Sequence, residues 1–251
     1  MTGNTQGKLW IGTSNIVLQG NKSTFPREFQ VKSRLNYYSS LFNSVELNST
    51  FYKVPMASTF EKWSRDVGQE FRFSVKLWKE ITHVKDLNFN ETNIEKFVRN
   101  ALFLHDKKGC LLLQFPGKVS LEYFNKVEQI LNNICRFDYT NEWSKAIEFR
   151  HNSWHTGETF ELLEEYNASP VLHDFPKGKT DELHKAAAFV YIRFHGPTGN
   201  YKGSYSNEFL TQKAIQIKDW MAGGKEVYAY FNNTAGDAYN NALTLKKLVE
   251  L

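Results

Sequence analysis

The sequence predicts a single α/β domain over residues 1–251, folded as a closed (β/α)8 barrel of the TIM type. Strand-like and helix-like segments alternate from end to end, and no low-complexity linker marks an internal boundary. Eight such units in 251 residues match the size of that barrel. An open doubly wound sheet is the alternative, but its central strands would be apolar on both faces, because helices cover both.

The strand-like runs instead have one apolar face and one face that ends in polar groups. In AIEFR, Ile147 and Phe149 share one face, whereas Glu148 and Arg150 lie on the other. A barrel interior accommodates this pattern, because its upper end opens to solvent where active sites lie. The predicted strands are Leu9–Ser14, Ser44–Asn48, Phe71–Lys76, Cys110–Phe115, Lys145–Arg150, Pro170–Asp174, Phe189–His195 and Glu226–Asn232.

Amphipathic stretches between these strands predict the helices. Apolar residues recur at helical spacing from Ile94 to Leu102 and again from Leu121 to Ile134. Thr92 with Glu95 fits a capping box that would begin the first of these two helices. The weakest helix follows the sixth strand, where only about residues 181–187 have helical character.

Composition excludes several classes of protein. A chain with 41% hydrophobic and 23% charged residues has enough apolar surface for a large core. Neither a signal peptide nor a run of about 20 apolar residues occurs, so we expect no membrane association. Cys110 and Cys135 lack CxxC spacing, which favours a reducing cytoplasm over a disulfide framework. A net charge of +4 tolerates anionic partners without requiring nucleic acid.

The same segments resemble those of the YecE-like family, the domain of unknown function 72. They are WIGTS, FNSVELNSTFYKVP, FRFSVKLWKEITH, LLLQFP, AIEFRHNSW, YIRFHG with the following NYKGSY, and YFNNTAGDAYNNA. The resemblance runs from Trp10 to about Ala242, and residues 14–26 depart from the family's aromatic-rich stretch. It implies a TIM barrel and implies no particular activity.

Four residues at strand ends are predicted as catalytic: Glu46, Lys76, Glu148 and His195. The two glutamates are an acid/base pair in this hypothesis, and the alternative is that they only neutralise cations inside the barrel. Lys76 belongs to a cationic set that would stabilise negative charge, and three cations against two carboxylates favour an anionic ligand. His83 follows in a loop above the mouth, and either His173 or Asp174 could face inward.

The predicted substrate-binding residues also lie at strand ends or in the loops beyond them. They are Asn48, Gln114, Arg150, Arg193, Tyr201, Asn232 and Asn233. Arginine offers a rigid fork that suits carboxylate or phosphate. An aromatic residue such as Tyr201 either stacks on a ligand or packs the rim.

Glycine-bearing loops follow the seventh and eighth predicted strands, where many TIM barrels bind phosphate. A helix that began at Thr234 would add free backbone N–H groups. The sequence therefore predicts phosphate between Arg193 or His195 and residues 232–236, although the glycines could serve only turn geometry.

The leading functional hypothesis is an enzyme that acts on a small anionic, phosphorylated metabolite. Hydrolysis, isomerisation and lyase chemistry all remain open, and no cofactor is predicted. A metal-dependent hydrolase of phosphodiesters or nucleic acid is one alternative, but compact ligand spacings such as HExxH are absent and the interleaved cations would repel a divalent metal. We therefore predict no metal ligand. A non-catalytic module that binds an anion is the other alternative, and the oligomeric state is open.

Overall fold

Eight parallel strands form one sheet in the computed structural model, which describes residues 6–176, 183–184 and 187–251. The strands are β1 (Leu9–Thr13), β2 (Ser44–Leu47), β3 (Arg72–Lys76), β4 (Lys108–Phe115), β5 (Ser144–Phe149), β6 (Ala168–His173), β7 (Val190–Phe194) and β8 (Val227–Phe231). Their order is β1-β8-β7-β6-β5-β4-β3-β2. Each strand lies within two residues of its predicted bounds, and the predicted TIM barrel is confirmed.

Helices surround this sheet as the hydrophobic periodicity predicts. Within the described residues they are α1 (Arg34–Leu41), α2 (Ala57–Arg65), α3 (Lys79–Thr82), α4 (Glu91–Ala101), α5 (Phe124–Phe137), α6 (Gly157–Glu165), α7 (Asn207–Ala222) and α8 (Ala238–Glu250). The predicted cap at Thr92 is wrong, because the Asn90 side chain accepts a hydrogen bond from the Thr92 backbone and caps α4. The helical stretch predicted over residues 181–187 lies largely outside the described residues. None of the helices formed by the described residues is both long and apolar enough to cross a membrane.

Side chains help to close the barrel between β1 and β2. A parallel bridge joins Ser14 and Glu46 just beyond the end of β1. Nearer the start of the strand, Asn43 accepts a hydrogen bond from the Ile11 backbone N–H at 2.8 Å and donates to the Leu9 carbonyl at 2.7 Å. The Asn43 amide takes the place of backbone hydrogen bonds between β1 and β2. The backbone groups of β1 therefore stay paired at the junction of these two strands, which we call the seam.

Tyr38 of α1 fills the middle of the same seam. Its buried hydroxyl accepts a hydrogen bond from the Thr13 N–H at 2.7 Å and donates to the Ser44 carbonyl at 3.2 Å. A Cβ atom at Gly12 would lie 2.5 Å from that hydroxyl and 2.0 Å from the Ser44 carbonyl oxygen. Glycine is therefore required here by the close approach of β1 to β2.

Replacing Tyr38 by phenylalanine is expected to lower the free energy of unfolding by about 1–3 kcal/mol. The change leaves the buried Thr13 N–H and the Ser44 carbonyl without the hydroxyl that bridges them, while it removes little apolar surface. Urea unfolding of the variant and of Tyr37→Phe, a neighbour on the same helix, would measure the difference. Equal midpoints for both variants would show that the hydroxyl does not stabilise the seam.

The barrel interior has an apolar lower part and an ionic upper part. The lower part contains Trp10, Cys110, Leu112, Ala146, Val171, Phe189, Tyr191, Tyr228 and Tyr230. Ile147 and Phe149 belong to the other, larger cluster, between the sheet and the helices. Glu148 therefore faces the interior, as the alternation in the sequence predicts. The same alternation places the polar ends of several strands above the apolar lower part.

Candidate functional site

Arg193 lies at the centre of the ionic upper part of the barrel. Its Nε and Nη2 atoms donate to the two carboxylate oxygens of Glu46, each at 2.9 Å. Its Nη1 atom donates to Glu148 Oε2 at 2.6 Å. All three side chains are at most 1% exposed. One guanidinium thus neutralises parts of two carboxylates that come from the non-adjacent strands β2 and β5.

The carboxylate oxygens of both glutamates accept further hydrogen bonds. Glu46 accepts hydrogen bonds from the hydroxyls of Ser14 at 2.6 Å and Tyr191 at 2.8 Å, and Glu148 Oε1 accepts one from Arg150 Nε at 2.7 Å. Asn48 also donates to Glu46, at 3.2 Å.

Both glutamates are ionised as a result. Burial would raise the pKa of Glu46, but attraction by Arg193 and the hydrogen bonds that it accepts lower that pKa overall. The pKa of Glu148 lies well below its ordinary value, because Arg193 and Arg150 together outweigh its desolvation. Neither carboxylate has a free oxygen that faces solvent. These two groups therefore fix the cations above them and offer no ready proton acceptor to a substrate.

A cavity of about 470 Å³ opens above this ionic layer at the C-terminal ends of the strands. We call it the mouth cavity. Its lining residues are Phe51, Tyr52, Lys76, His83, Gln114, Pro116, Gly117, Arg150 and Phe175. Three of the predicted site residues, Lys76, Gln114 and Arg150, line it together. The charged side chains of the lining are cationic.

Lys76, the last residue of β3, is the first of the two cations of the mouth cavity. Its Nζ atom donates to Gln114 Oε1 at 2.9 Å and lies 4.2 Å from the centre of the Phe51 ring. Burial, together with repulsion by Arg193, lowers the pKa of Lys76 to about 8, although Glu148 and Glu46 oppose this shift. This amine therefore titrates near neutral pH.

Gln114 connects Lys76 to His83. Because Gln114 Oε1 accepts from Lys76, its amide nitrogen is the donor in the 3.4 Å contact with His83 Nε2. The other ring nitrogen, His83 Nδ1, is 2.8 Å from the Thr82 hydroxyl, so the network assigns its proton to Nδ1. Burial, and then repulsion by Lys76 and Arg150, lower the pKa of His83 to about 4. His83 is therefore neutral at pH 7.

Arg150, one residue beyond β5, is the second cation of the mouth cavity. Its Nε atom donates to Glu148, and its Nη2 atom donates to the Tyr201 hydroxyl at 3.5 Å. The centre of the Phe175 ring lies 4.2 Å from its guanidinium carbon. Burial would lower the pKa of Arg150, but attraction by Glu148 raises it overall. The guanidinium is thus held rigidly and stays charged, with its side chain still 16% exposed.

His195 lies beneath the mouth cavity and does not line it. Its backbone N–H donates to Asp174 Oδ1 at 2.7 Å, and its Nδ1 atom is 3.3 Å from the same oxygen. Its Nε2 atom faces Arg193 Nη1 at 3.4 Å, and the ring is fully buried. Tyr205 donates to the other Asp174 oxygen. Burial would raise the pKa of Asp174, but the hydrogen bonds from His195 and Tyr205 lower it.

The structure also resolves the ambiguous register at the end of β6. His173 faces the interior, with 3% exposure and its ring centre 5.9 Å from that of His195. Burial is the largest influence on His173 and lowers its pKa, which Glu148 opposes. Asp174 lies beyond the strand and turns toward the loop after β7.

Two features from which the sequence predicts a phosphate site between β7 and β8 differ in the structure. Arg193 has no face open to the mouth, and α8 begins at Ala238, so Thr234 does not cap it. Backbone N–H groups of the loop are already used: those of Ala235 and Asp237 donate to the carbonyls of Tyr201 and Gly203.

Asn233 has a structural role in the same place. It is fully buried and its amide donates to the Gly203 carbonyl at 2.9 Å and to Asn241 Oδ1 at 3.0 Å. Asn232 is 9% exposed and its backbone N–H donates to the Phe194 carbonyl. Neither asparagine is among the residues that line the mouth cavity.

Sequence reasoning did not single out the two phenylalanines of the site. Phe51 and Phe175 hold the two cations of the mouth cavity, and both lie in loops whose course depends on tertiary packing. Tyr191 was also missed as a donor to Glu46, although its place on the polar face of β7 is the signal that could have found it. Throughout residues 6–176, 183–184 and 187–251, His, Cys, Asp and Glu side chains form no group of three arranged to hold a metal ion.

Another cavity, of about 630 Å³, lies outside the barrel wall between β6, β7 and α7. Leu172, Ile192 and Phe194 of the two strands and Phe209 and Trp220 of the helix contribute an apolar lining. We place the candidate site in the mouth cavity, because the titrating and cationic side chains converge there.

Comparison with known proteins agrees with this architecture. The family model described as "Protein of unknown function DUF72" matches residues 10–251. The chain belongs to the DUF72 family. Among curated DUF72-like relatives, the UPF0759 protein YunF of Bacillus subtilis is 26% identical over 266 residues, covering 91% of each chain. The UPF0759 protein YecE of Escherichia coli is 25% identical over 117 residues, which cover 47% of this chain and 41% of YecE.

Solved structures of DUF72 proteins share the fold. A DUF72 family protein from Enterococcus faecalis superposes with a TM-score of 0.79 at 20% identity, covering 97% of this chain and 96% of that one. A DUF72 family protein from Thermotoga maritima superposes with a TM-score of 0.75 at 26% identity, covering 97% of this chain and all of the other. These likenesses establish the barrel, and the chemistry of the mouth must be argued from its side chains.

Proposed function

We propose that this DUF72 protein is an enzyme that acts on a small anionic metabolite, carrying a phosphate or carboxylate group, in the mouth cavity. The observation that carries the proposal is the separation of charge between two layers. The carboxylates of Glu46 and Glu148 are buried and fully paired below, whereas Lys76 and Arg150 line the cavity above them. An anion is the ligand that complements such a lining.

Arg150 is the anion-binding group in this proposal. The Glu148 carboxylate and the Phe175 ring hold its guanidinium before a ligand arrives, so little side-chain entropy is lost on binding. Its remaining N–H groups offer a planar fork for two oxygens of a phosphate or carboxylate. Lys76 adds a second positive charge to the same cavity.

Acid/base chemistry is assigned to Lys76 in place of the two glutamates. Glu46 and Glu148 were predicted as an acid/base pair, but their oxygens are hydrogen-bonded and buried, and their pKa values are lowered. Lys76 titrates near pH 8, whereas the pKa of His83, about 4, leaves its imidazole neutral beside it. A group whose pKa lies close to the working pH is the more effective proton donor or acceptor. His195, which lies deeper, supports Arg193.

Arg150→Gln is expected to weaken the binding of sulfate or phosphate by about 10- to 100-fold, because charge-assisted hydrogen bonds to the anion are lost. The ligand-induced rise in the thermal midpoint, measured over a concentration series, reports the affinity of each protein. Arg136→Gln is the matched control, since Arg136 pairs with Glu91 on the surface, away from the mouth. An equal rise for wild type and both variants would indicate general salt exclusion and would rule out the site.

Anion affinity is also expected to fall as the pH rises through about 8. Lys76 loses its positive charge there, and a bound anion would favour the protonated amine, so binding above that pH takes up a proton. Sulfate is the suitable probe, because its own charge stays constant in this range. Calorimetric titrations between about pH 7 and pH 10 in buffers of different ionisation enthalpy would count the protons taken up. Sulfate binding that is independent of pH and of buffer would exclude Lys76 from the anion site.

The alternatives make different predictions about the same cavity. A metal-dependent phosphodiester hydrolase needs carboxylate or imidazole groups free to face the metal. The charged groups that line the cavity are cationic, and both ring nitrogens of His83 have hydrogen-bond partners. A non-catalytic anion-binding module would show the same stabilisation by anions without any product. The titrating amine of Lys76 favours turnover over binding alone.

Both cysteines are free thiols, and we expect the protein to act in the cytoplasm.

A further inference from the structure

We propose that the Lys76 amine forms a covalent imine with the carbonyl group of its substrate, an aldehyde or ketone that also carries the anionic group. The inference rests on the proposed function, because Arg150 supplies the anion site that brings the carbonyl compound into the mouth cavity. Its geometric basis is the position of Lys76 Nζ, which lines the same cavity as Arg150 and is held by an amide oxygen and a ring face.

The partners of Lys76 leave its amine able to react. Among the described residues, no carboxylate forms an ion pair with Lys76, in contrast with Arg150 and Arg193. The amide of Gln114 accepts one N–H and thereby orients the nitrogen without neutralising it. A lysine whose role was to balance buried charge would instead contact Glu46 or Glu148 directly.

A useful fraction of the amine is unprotonated near neutral pH. With a pKa of about 8, roughly one Lys76 side chain in four is neutral at about pH 7.5. An ordinary exposed lysine is neutral only about once in a thousand at that pH. Only the unprotonated amine attacks a carbonyl carbon, so desolvation activates this nucleophile.

The surroundings also suit the product of the reaction. The neutral amine attacks the carbonyl carbon, the new C–N bond forms as the C–O π pair moves to oxygen, and an ammonium proton transfers to that oxygen. The proton that the ammonium released to become the neutral amine returns through solvent to the new hydroxyl group. The C–O bond then breaks with the loss of one water molecule, and the nitrogen lone pair closes the C=N bond. With one proton retained, the iminium carries the charge of the original ammonium. The Phe51 ring face, already 4.2 Å from Nζ, can stabilise this cation.

Reductive trapping with glyoxylate, a small anionic aldehyde, tests the proposal. The full-length protein is incubated with glyoxylate and cyanoborohydride near pH 7.5, and modified peptides are quantified by mass spectrometry. Lys76 is expected to react at least about 10-fold faster than exposed Lys79, because its larger neutral fraction outweighs its weaker basicity. The neutral aldehyde propionaldehyde should show a smaller preference for Lys76, and Arg150→Gln should slow only the reaction with glyoxylate. The Lys76→Met variant should lose the fast-reacting site.

The outcomes separate this inference from the proposed function. Labelling of Lys76 no faster than that of Lys79, in protein that sulfate still stabilises through Arg150, would overturn the imine and leave anion binding intact. Fast labelling of Lys76 that sulfate suppresses would support both. If Lys76 labels no faster than Lys79 and sulfate does not stabilise the protein, both are wrong.

Discussion

Replacing Arg193 by methionine is expected to lower the free energy of unfolding by about 3–5 kcal/mol, the largest loss of stability that we predict for a single change. The guanidinium donates to both oxygens of Glu46 and to one of Glu148, and all three groups are buried. Methionine fills a similar volume but leaves two carboxylates in a low-dielectric interior without their shared cation. The cost arises from the charges that remain rather than from the lost contacts.

Urea unfolding of wild type, Arg193→Met and the surface control Arg136→Met would measure the effect. Arg136 forms an exposed ion pair with Glu91, so its replacement should cost no more than about 1 kcal/mol. Glu148→Gln alone should cost about 1–3 kcal/mol, since it leaves Arg193 and Arg150 less well neutralised. In the Arg193→Met background it should cost less or even stabilise, because one unpaired charge disappears. Strictly additive effects would show that these residues are not coupled.

Alternation along the strands was sufficient to predict which side chains face the barrel interior. Glu148 is flanked by Ile147 and Phe149, and the apolar neighbours could be buried only if Glu148 pointed inward. The same argument places Arg193 inside from its neighbours Ile192 and Phe194. Successive side chains of a strand point to opposite faces of the sheet. Once one side chain is assigned to a face, the faces of all the others in the strand follow.

Alternation along the strands did not predict which of the three cations is buried and which two line the mouth cavity. Arg193 lies within β7, whereas Lys76 is the last residue of β3 and Arg150 follows the end of β5. That difference in depth puts Arg193 in the buried layer and the other two on the cavity wall. A shift of a single residue in a predicted strand end is enough to exchange these roles, and boundaries predicted from sequence vary by that much.

The glycines after β7 and β8 were misleading for a related reason. They suggested free backbone donors for phosphate, but Gly236 packs against the other loop so closely that a Cβ there would lie 2.3 Å from the Gly203 carbonyl oxygen. The same contact lets backbone N–H groups of the loop after β8 donate to carbonyls of the loop after β7. Glycine permits close approach, and only the fold shows whether a ligand or another loop approaches.

Lys76→Met is expected to stabilise the protein at neutral pH, by roughly 1–3 kcal/mol, while it removes the contribution of Lys76 to anion binding and the fast-reacting site of the trapping reaction. The pKa of Lys76 is lowered from an ordinary value of 10.5 to about 8, so its charged form is disfavoured in the folded state. The variant removes that penalty and loses only the hydrogen bond to Gln114 and the contact with Phe51.

The pH dependence distinguishes this cause from better packing. Below about pH 8 the amine is protonated in both folded and unfolded wild type, and the full penalty applies. Between about pH 8 and 10.5 the unfolded chain binds more protons than the folded one, so wild-type stability rises with pH and the advantage of the variant should shrink. Urea unfolding of both proteins across this range would show the convergence, with Lys79→Met as the surface control. A constant difference would mean that methionine only packs better, whereas convergence would mean that the fold retains a destabilising charge in the mouth cavity. Retention of such a charge is expected where it serves the chemistry of a site.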